Sequence, residues 1–503
     1  MTCHPRLRRS AACALAALLI AGLAPARAQL PTLGDGSEIG SAAEKRLGDR
    51  IAREMYRDPD YIDDPVLAEY VRGIWQPLLD AARARGELTA ELDERFAWQV
   101  LLGKERVVNA FALPGGWLGL QLGLINVTAS RDEIASVLAH ELSHVTQRHI
   151  SRLASEEKKS TPLLIGAMLL GVLAMGKNPN AGNAVLTGSQ AVAMQGQLNF
   201  SRDMEREADR IGFGVLTQAG FQPQGFVTMF EKLQQASRIN DNGSYPYLRT
   251  HPLTTERAAD MQGRLQLVPK GASTPAPAAL EHALMAARSK AVSAAGVDDL
   301  RALVGDANAL AAGGTHQRRA AVYYAGSLAA SRLRDHARAE AMAKKLVDEV
   351  QDDPGGSRQA RLLGAEVALA AGQPARALSL LGESAARAAR PEVLLWAQAR
   401  LPEGGAEVSQ RLQTWVATQP RDAAAWQLLA NAYAAQGQQL RAIRAEAEAQ
   451  VAQLDYSAAV DRFKAAQELA RRGGPGTDYI EASIIDTRTK QVESLLREQS
   501  LER

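Results

Sequence analysis

The stretch Val137 to His149, VLAHELSHVTQRH, constrains this chain more than any other. It sets His140, Glu141 and His144 in the order H-E-x-x-H. On a helix, positions i and i+4 share a face, so both imidazoles aim at one point. Glu141 borders that point without having to be a ligand. Two neutral histidines holding Zn2+, with a carboxylate that takes the proton from its water, make a hydrolytic site. The flanks support a helix. Ile134, Val137, Leu138, Leu142 and Val145 fall near one stripe, Ser130 or Thr128 caps the start, and Asp132 and Glu133 lie in the first turn.

The first residues read as an address rather than fold. Arg6, Arg8 and Arg9 precede an apolar run from Ala11 to Leu23, and Ala26-Arg27-Ala28 fits a small-x-small cleavage pattern. Residues 1–28 are thus expected to be a secretory signal peptide, with an apolar run too short for a membrane span. Cys3 and Cys13, the two cysteines, would leave with it, so neither a disulfide nor thiol chemistry is expected in the mature chain. Loss of its four arginines turns the formal charge from +2 to −2, which gives no case for nucleic-acid binding.

What remains is too long for one core. Glu44 to Ala84 has a helical pattern broken at Asp58-Pro59 and Asp64-Pro65. Phe96–Leu102 and Val107–Leu113 read as strands. Pro114-Gly115-Gly116 reads as a turn, and Trp117–Leu124 as a strand or a strand running into helix. Such a hairpin presents an edge to which an extended peptide can add through main-chain hydrogen bonds, and Asn109, Ala110, Phe111 and Ala112 are the candidates for it. An ordinary core hairpin is the competing reading. Pro162 to Asn199, apolar but interrupted by glycines, is expected to form a helix–loop–helix lid.

Downstream, FSRDMEREADRIG spaces Glu205 and Asp209 at i, i+4. With Arg202, Arg206 and Arg210 interleaved, this run taken alone is a solvated charged face. With His140 and His144 upstream, the better reading is a metal-ligating Glu205 and an Asp209 hydrogen-bonded to a zinc histidine.

HELSH, then SRDMEREAD, then THPLTTER resembles the gluzincin metallopeptidases, the family that includes the CAAX prenyl endoprotease. The resemblance covers about residues 44–264. It implies that Glu205, in E-x-x-A-D, is the third zinc ligand beside His140 and His144, one zinc per chain. It also implies that NAFALPGG is a substrate-edge strand. It places His251-Pro252-x-x-x-x-Arg257 at the cleft, where His251 or Arg257 stabilises an oxyanion or His251 instead takes the fourth zinc position. Residue 147 is not Gly and residue 150 is not His, which sets the metzincin scheme aside. His149 is then expected to be a surface or packing histidine.

Val268 to Ala279 reads as a linker rich in Pro and Ala. Beyond it, Trp426, Leu429, Tyr433 and Gly437, with Pro420 six residues before the Trp, follow the tetratricopeptide pattern. Leu362-Leu363-Gly364 with Gly372 and Ala377, Leu395-Trp396, Ala320–Ala341 and Tyr456–Ala466 are degenerate copies at about 33–34 residues. Stacked helix pairs of this kind form a curved protein-binding surface.

The expected fold is therefore mainly α. A helical zinc-metallopeptidase domain with a small β-sheet spans residues 29–267, an α-solenoid spans 280–490, and a tail spans 491–503. The expected activity is zinc-dependent endopeptidase in the periplasm, with no transmembrane anchor in the mature part. By the resemblance, unfolded or misassembled outer-membrane β-barrel proteins are the clients, and the repeats contact them or their assembly machinery. The alternative is a non-proteolytic chaperone or adaptor whose zinc is structural.

Overall fold

The computed structural model describes residues 40–156, 202–238, 244–268, 279–309, 314–383, 385–472 and 478–500. The expected signal peptide, the expected lid at 162–199 and nearly all of the expected linker lie outside these residues.

The peptidase part begins with α1 (Ser41–Arg57), a short strand β1 (Tyr61–Ile62) and α2 (Pro65–Ala84). The two Asp-Pro breaks act differently. Asp64 caps α2 by accepting from Leu67 N–H at 2.9 Å, and Pro65 sits where no N–H is needed. Helix α2 buries Val66, Leu67, Val71, Ile74 and Leu78 in the main core. Next come α3 (Ala90–Arg95), β2 (Gln99–Gly103), β3 (Ala110–Leu113), β4 (Trp117–Gln121) and α4 (Leu122–Val127).

The sheet order is β1-β2-β4-β3, with β2 and β4 parallel and the outer pairs antiparallel. Strand β3 is therefore an edge. It turns into β4 through Pro114–Gly116, where Gly115 takes φ +72° against the backbone of Lys45. Two expected strands are shorter than their apolar runs. Trp98 has φ +49° and its carbonyl accepts from Trp75 Nε1 at 2.9 Å, so the ladder of β2 opens only at Gln99. Val108 pairs instead with Ser244 and Tyr247, so β3 starts at Ala110.

Helix α5 (Arg131–Thr146) carries the histidine motif. Ser130 accepts from Glu133 N–H at 3.2 Å while Glu133 accepts from Ala129 N–H at 2.6 Å, a reciprocal cap. The single apolar stripe expected of it is exceeded, because every residue from Glu133 to Thr146 is buried. Helix α6 (His149–Glu156) follows. Then α7 (Arg202–Gln218), α8 (Gln224–Arg238), α9 (Tyr247–Thr250) and α10 (Thr255–Leu267) complete this part. α5 packs against α2, β3, α7 and α8. Gly212 of α7 makes one of these approaches possible, since a Cβ there would stand 3.1 Å from the backbone of Ala139 and His140. Among the described residues no helix is long and apolar enough to cross a membrane.

The helical repeat region runs through α11 (Ala279–Val292), α12 (Val297–Ala309), α13 (His316–Arg332), α14 (His336–Val350), α15 (Pro354–Ala370) and α16 (Pro374–Leu381). It continues with α17 (Arg390–Arg400), α18 (Gly405–Thr418), α19 (Ala423–Ala435), α20 (Gln439–Ala452), α21 (Tyr456–Arg472) and α22 (Tyr479–Ser500). Most consecutive helices pack on one another. Trp426 donates to Pro420 O at 2.9 Å, which explains the spacing of those two residues. The stretch from residue 491 is not a loose tail, because α22 continues to Ser500 and buries Val492.

Three arginines of the repeats grip the start of α2. Arg288 reaches Asp64 at 2.8 Å, Arg358 reaches Glu69 at 2.7 Å and Arg390 reaches Asp63 at 2.7 Å. Each also pairs within the repeats, with Glu366, Glu392 and Asp422 respectively.

Candidate metal centre

His140 and His144 leave α5 one turn apart, and their Nε2 atoms face each other at 3.0 Å. Glu205, from the first turns of α7, places its Oε2 3.5 Å from His140 Nε2 and its Oε1 3.3 Å from His144 Nε2. His251, just after α9, brings Nδ1 to 3.0 Å from Glu205 Oε1 and 3.4 Å from His140 Nε2. One atom from each of these four residues lies within 4.8 Å of the other three, and all four residues are buried.

The rings behind the ligand atoms set the tautomers. Asp209 Oδ1 lies 2.9 Å from His140 Nδ1, and a carboxylate only accepts, so His140 carries its proton there. His149 Nδ1 lies 2.8 Å from His144 Nδ1. Its Nε2 lies 3.1 Å from Glu207 Oε2, so it donates to Glu207 and accepts from His144. Both Nε2 atoms are then lone pairs aimed at each other across 3.0 Å, an arrangement that only a shared proton or a cation relieves. These residues fit a metal ion. Two imidazoles and a carboxylate suit Zn2+, whose nitrogen and oxygen ligands lie about 2.0–2.2 Å away.

The electrostatics agree. Burial pulls His140 down, but Asp209 and Glu205 push it up to about 10, holding a proton where a cation would sit. Burial takes His144 well below its usual value, against the pull of Glu205. Burial lowers His149 to about 4, with Glu207 opposing, so the ring is neutral. Burial would raise Glu205, yet His251, His140 and His144 hold it well below the carboxylate range. Glu141 is raised, first by burial, with His251 and His140 opposing.

Glu141 stands beside the quartet. Its Oε2 accepts from Ala112 N–H of β3 at 2.9 Å, and its Oε1 lies 3.4 Å from His251 Nε2. Gln121 N–H bonds to Asn109 O at 3.0 Å, and the antiparallel register then turns the main-chain groups of Ala110 and Ala112 outward from the sheet. Phe111 covers Gly119 of the neighbouring strand, where a Cβ would come 2.1 Å from the ring. Asn109 and Phe111 thus hold β3 in the sheet, while the two alanines present its edge beside Glu141.

Arg257 sits behind the site. It binds Asp209 through Nε at 2.6 Å and Nη2 at 2.8 Å, and Glu205 through Nη1 at 2.7 Å. With a further hydrogen bond from Nη1 to Pro252 O at 2.8 Å, those contacts tie the guanidinium to two carboxylates and the loop after His251. His251 lies among the ligand atoms, stacked on Tyr247 with ring centroids 4.6 Å apart. Of the two expectations for His149, surface or packing, the structure excludes the first, since the ring is fully buried against His144. Arg148, which is neither Gly nor Pro, turns the chain there at φ +53°, a break that residue type does not announce.

Residues 76–265 match the model of peptidase family M48. Over 257 residues the chain is 36% identical to the beta-barrel assembly-enhancing protease of Escherichia coli (strain K12), covering 50% of each chain. The Yersinia pestis protein of the same name is 36% identical over 245 residues, 48% of each chain. The mitochondrial metalloendopeptidase OMA1 of Arabidopsis thaliana is 35% identical over 165 residues, 33% of this chain and 31% of that one. The chain thus spans about half the length of the first of these relatives. The quartet and Glu141 fall inside the matched region, and residues 76–265 form a metallopeptidase domain of the M48 family.

Proposed function

We propose that the chain is a zinc-dependent endopeptidase of the periplasm that acts on misassembled outer-membrane β-barrel proteins. One observation carries the catalytic part: a carboxylate, Glu141, joins the metal quartet to the edge strand of the sheet. His140, His144 and Glu205 are the proposed zinc ligands, with Asp209 orienting His140 and Arg257 orienting Asp209 and Glu205. When bound, zinc supplies Lewis acidity toward a scissile carbonyl and toward water.

The chain's own groups do the rest. A client strand adds to β3 through the outward N–H and C=O of Ala110 and the C=O of Ala112, which makes binding tolerant of sequence. Ala112 N–H holds Glu141 Oε2, leaving Oε1 toward the quartet as the base that takes a proton from the attacking water. The same oxygen returns that proton to the leaving nitrogen. Burial raises Glu141, which suits both halves of this exchange. His251 is proposed as a plug that holds the fourth position until it is moved.

The leader-like N-terminus and the names of the relatives support the compartment and client class. The helical repeats are proposed to be tetratricopeptide units that contact clients or the machinery assembling them. A second reading, a chaperone with structural zinc, has one observation in its favour. Four protein donors close the quartet, as in structural sites.

Incubating wild type and Glu141→Gln with an unfolded outer-membrane protein, with and without chelator, separates the two. Cleavage by wild type alone, abolished by chelator, supports the peptidase. Absence of cleavage by either protein, even after His251→Ala, overturns it.

A further inference from the structure

The two ligand histidines are backed differently. His140 leans directly on a carboxylate, Asp209, whereas His144 leans on a second imidazole. We propose that His149 and Glu207 form a relay that fixes the tautomer and ring plane of His144, and so sets how tightly the site holds its metal. The proposal rests on the zinc reading of the quartet and adds two positioning residues to it.

The direction of the relay follows from donor chemistry. Glu207 Oε2 takes a hydrogen bond from Arg152 Nη1 at 2.8 Å and accepts from His149 Nε2 at 3.1 Å. A carboxylate cannot donate, so the proton of His149 is fixed on Nε2 and its Nδ1 is a lone pair. That lone pair, 2.8 Å from His144 Nδ1, draws the proton of His144 to the side facing away from the quartet. His144 Nε2 is left bare toward Glu205, His140 and His251. A carboxylate at the rim thus determines which nitrogen of a buried histidine carries the proton, through an intervening ring.

The backbone is shaped to put His149 there. Helix α5 ends at Thr146, and two residues later α6 starts at His149. Between them Arg148 adopts φ +53°, a conformation that is unfavourable for a non-glycine residue. Arg148 Nε anchors the turn on Glu44 at 3.1 Å. The imidazole delivered this way is completely buried, while Arg152 and Glu207 at the outer end remain partly exposed. An ordinary packing residue needs neither a left-handed turn nor a two-sided hydrogen bond. The relay also ties α6 to α7 through the metal site, since His149 and Arg152 come from one helix and Glu207 from the other.

The test uses the full chain and zinc itself. Zinc affinity is measured by competition with a chromophoric chelator, alongside the visible spectrum of the Co2+-substituted protein and the melting temperature of the metal-free form. His149→Ala is expected to weaken zinc about 10–100-fold and to shift the cobalt bands. His149→Asn, whose amide can offer an acceptor near the position of Nδ1, is expected to recover most of that affinity. Glu207→Ala, at the partly exposed end, is expected to weaken zinc several-fold without hindering folding, and it carries the test if His149→Ala fails to fold. Zinc affinity and cobalt spectrum equal to wild type in His149→Ala, or in Glu207→Ala where that variant carries the test, with only the melting temperature lowered, would reduce the relay to packing and overturn it. A wild-type chain that binds no zinc overturns the metal reading itself, and the relay with it.

Discussion

Ala112 and Glu141 are joined by a hydrogen bond of 2.9 Å from the edge of the sheet to the helix that carries the metal ligands. The strand that would receive a client and the carboxylate that would act on it are therefore positioned by each other. Glu141→Gln is expected to keep the fold and the metal, because an amide oxygen can still accept from Ala112 N–H, while proteolysis falls on the order of a thousandfold or more. Wild-type cleavage rates at full metal content would remove Glu141 from the role of base.

Glu205→Ala should take zinc stoichiometry from near one to near zero. Asp209→Ala should keep the ligand set but weaken affinity about 10–100-fold, since it frees His140 to rotate and leaves Arg257 partly unpaired. Metal analysis after gel filtration reads the first, and chelator competition the second. Retention of zinc by Glu205→Ala would require another third ligand.

His251→Ala is expected to raise basal proteolysis several-fold at equal zinc content, because the imidazole 3.0 Å from Glu205 then no longer closes the quartet. A fall in rate at equal zinc would instead mark His251 as a group that assists the reaction.

How much of this was legible in the sequence follows from where each signal resides. His140, Glu141 and His144 are brought together by the short-range geometry of one helix, which fixed spacing encodes, whereas Glu205 reaches them from a second helix and is legible only through its own motif and the resemblance. The α-helical repeats likewise announce themselves by period. His149 was hidden because i+5 is no helix-face spacing and Arg148 gives no sign of a left-handed turn. The partners of Arg257, Asp209 and Glu205, are set by how α7 and α10 pack, which no local pattern specifies. The length of β2 depended on one dihedral angle at Trp98, inside an unbroken apolar run.

Separating the peptidase part from the repeats should cost stability rather than ligands. A chain ending at Gly271 keeps every proposed ligand. It loses the bonds from His282 to Tyr70 and Thr128, from Ser289 to Leu122 O, and the three arginines on α2. Its melting temperature is expected to fall by about 5 °C or more while zinc still binds. Calorimetry of the shortened and full chains compares them, and an unchanged transition would show that the repeats merely rest on the peptidase.

Asp422 gives that contact a pH dependence. Burial would raise its carboxyl, but Arg390 and Trp415 outweigh burial and hold it below the usual value. The unfolded chain then binds this proton first as pH falls, so the stability Asp422 supplies is complete above about pH 4 and is lost below it. Asp422→Asn should melt lower than wild type at pH 7, with the gap narrowing toward pH 3. A gap that stays constant across that range would mean the carboxylate charge contributes nothing.

Helix α5 presents no residue to solvent between Glu133 and Thr146. Fraying at its ends cannot uncover the two histidines, so local opening of neighbouring elements is needed to reach them. Metal exchange is then expected to be slower than at an exposed site with the same ligands. Chelator and added zinc are expected to act over a prolonged incubation rather than at once, and zinc present during folding is expected to load the site fastest.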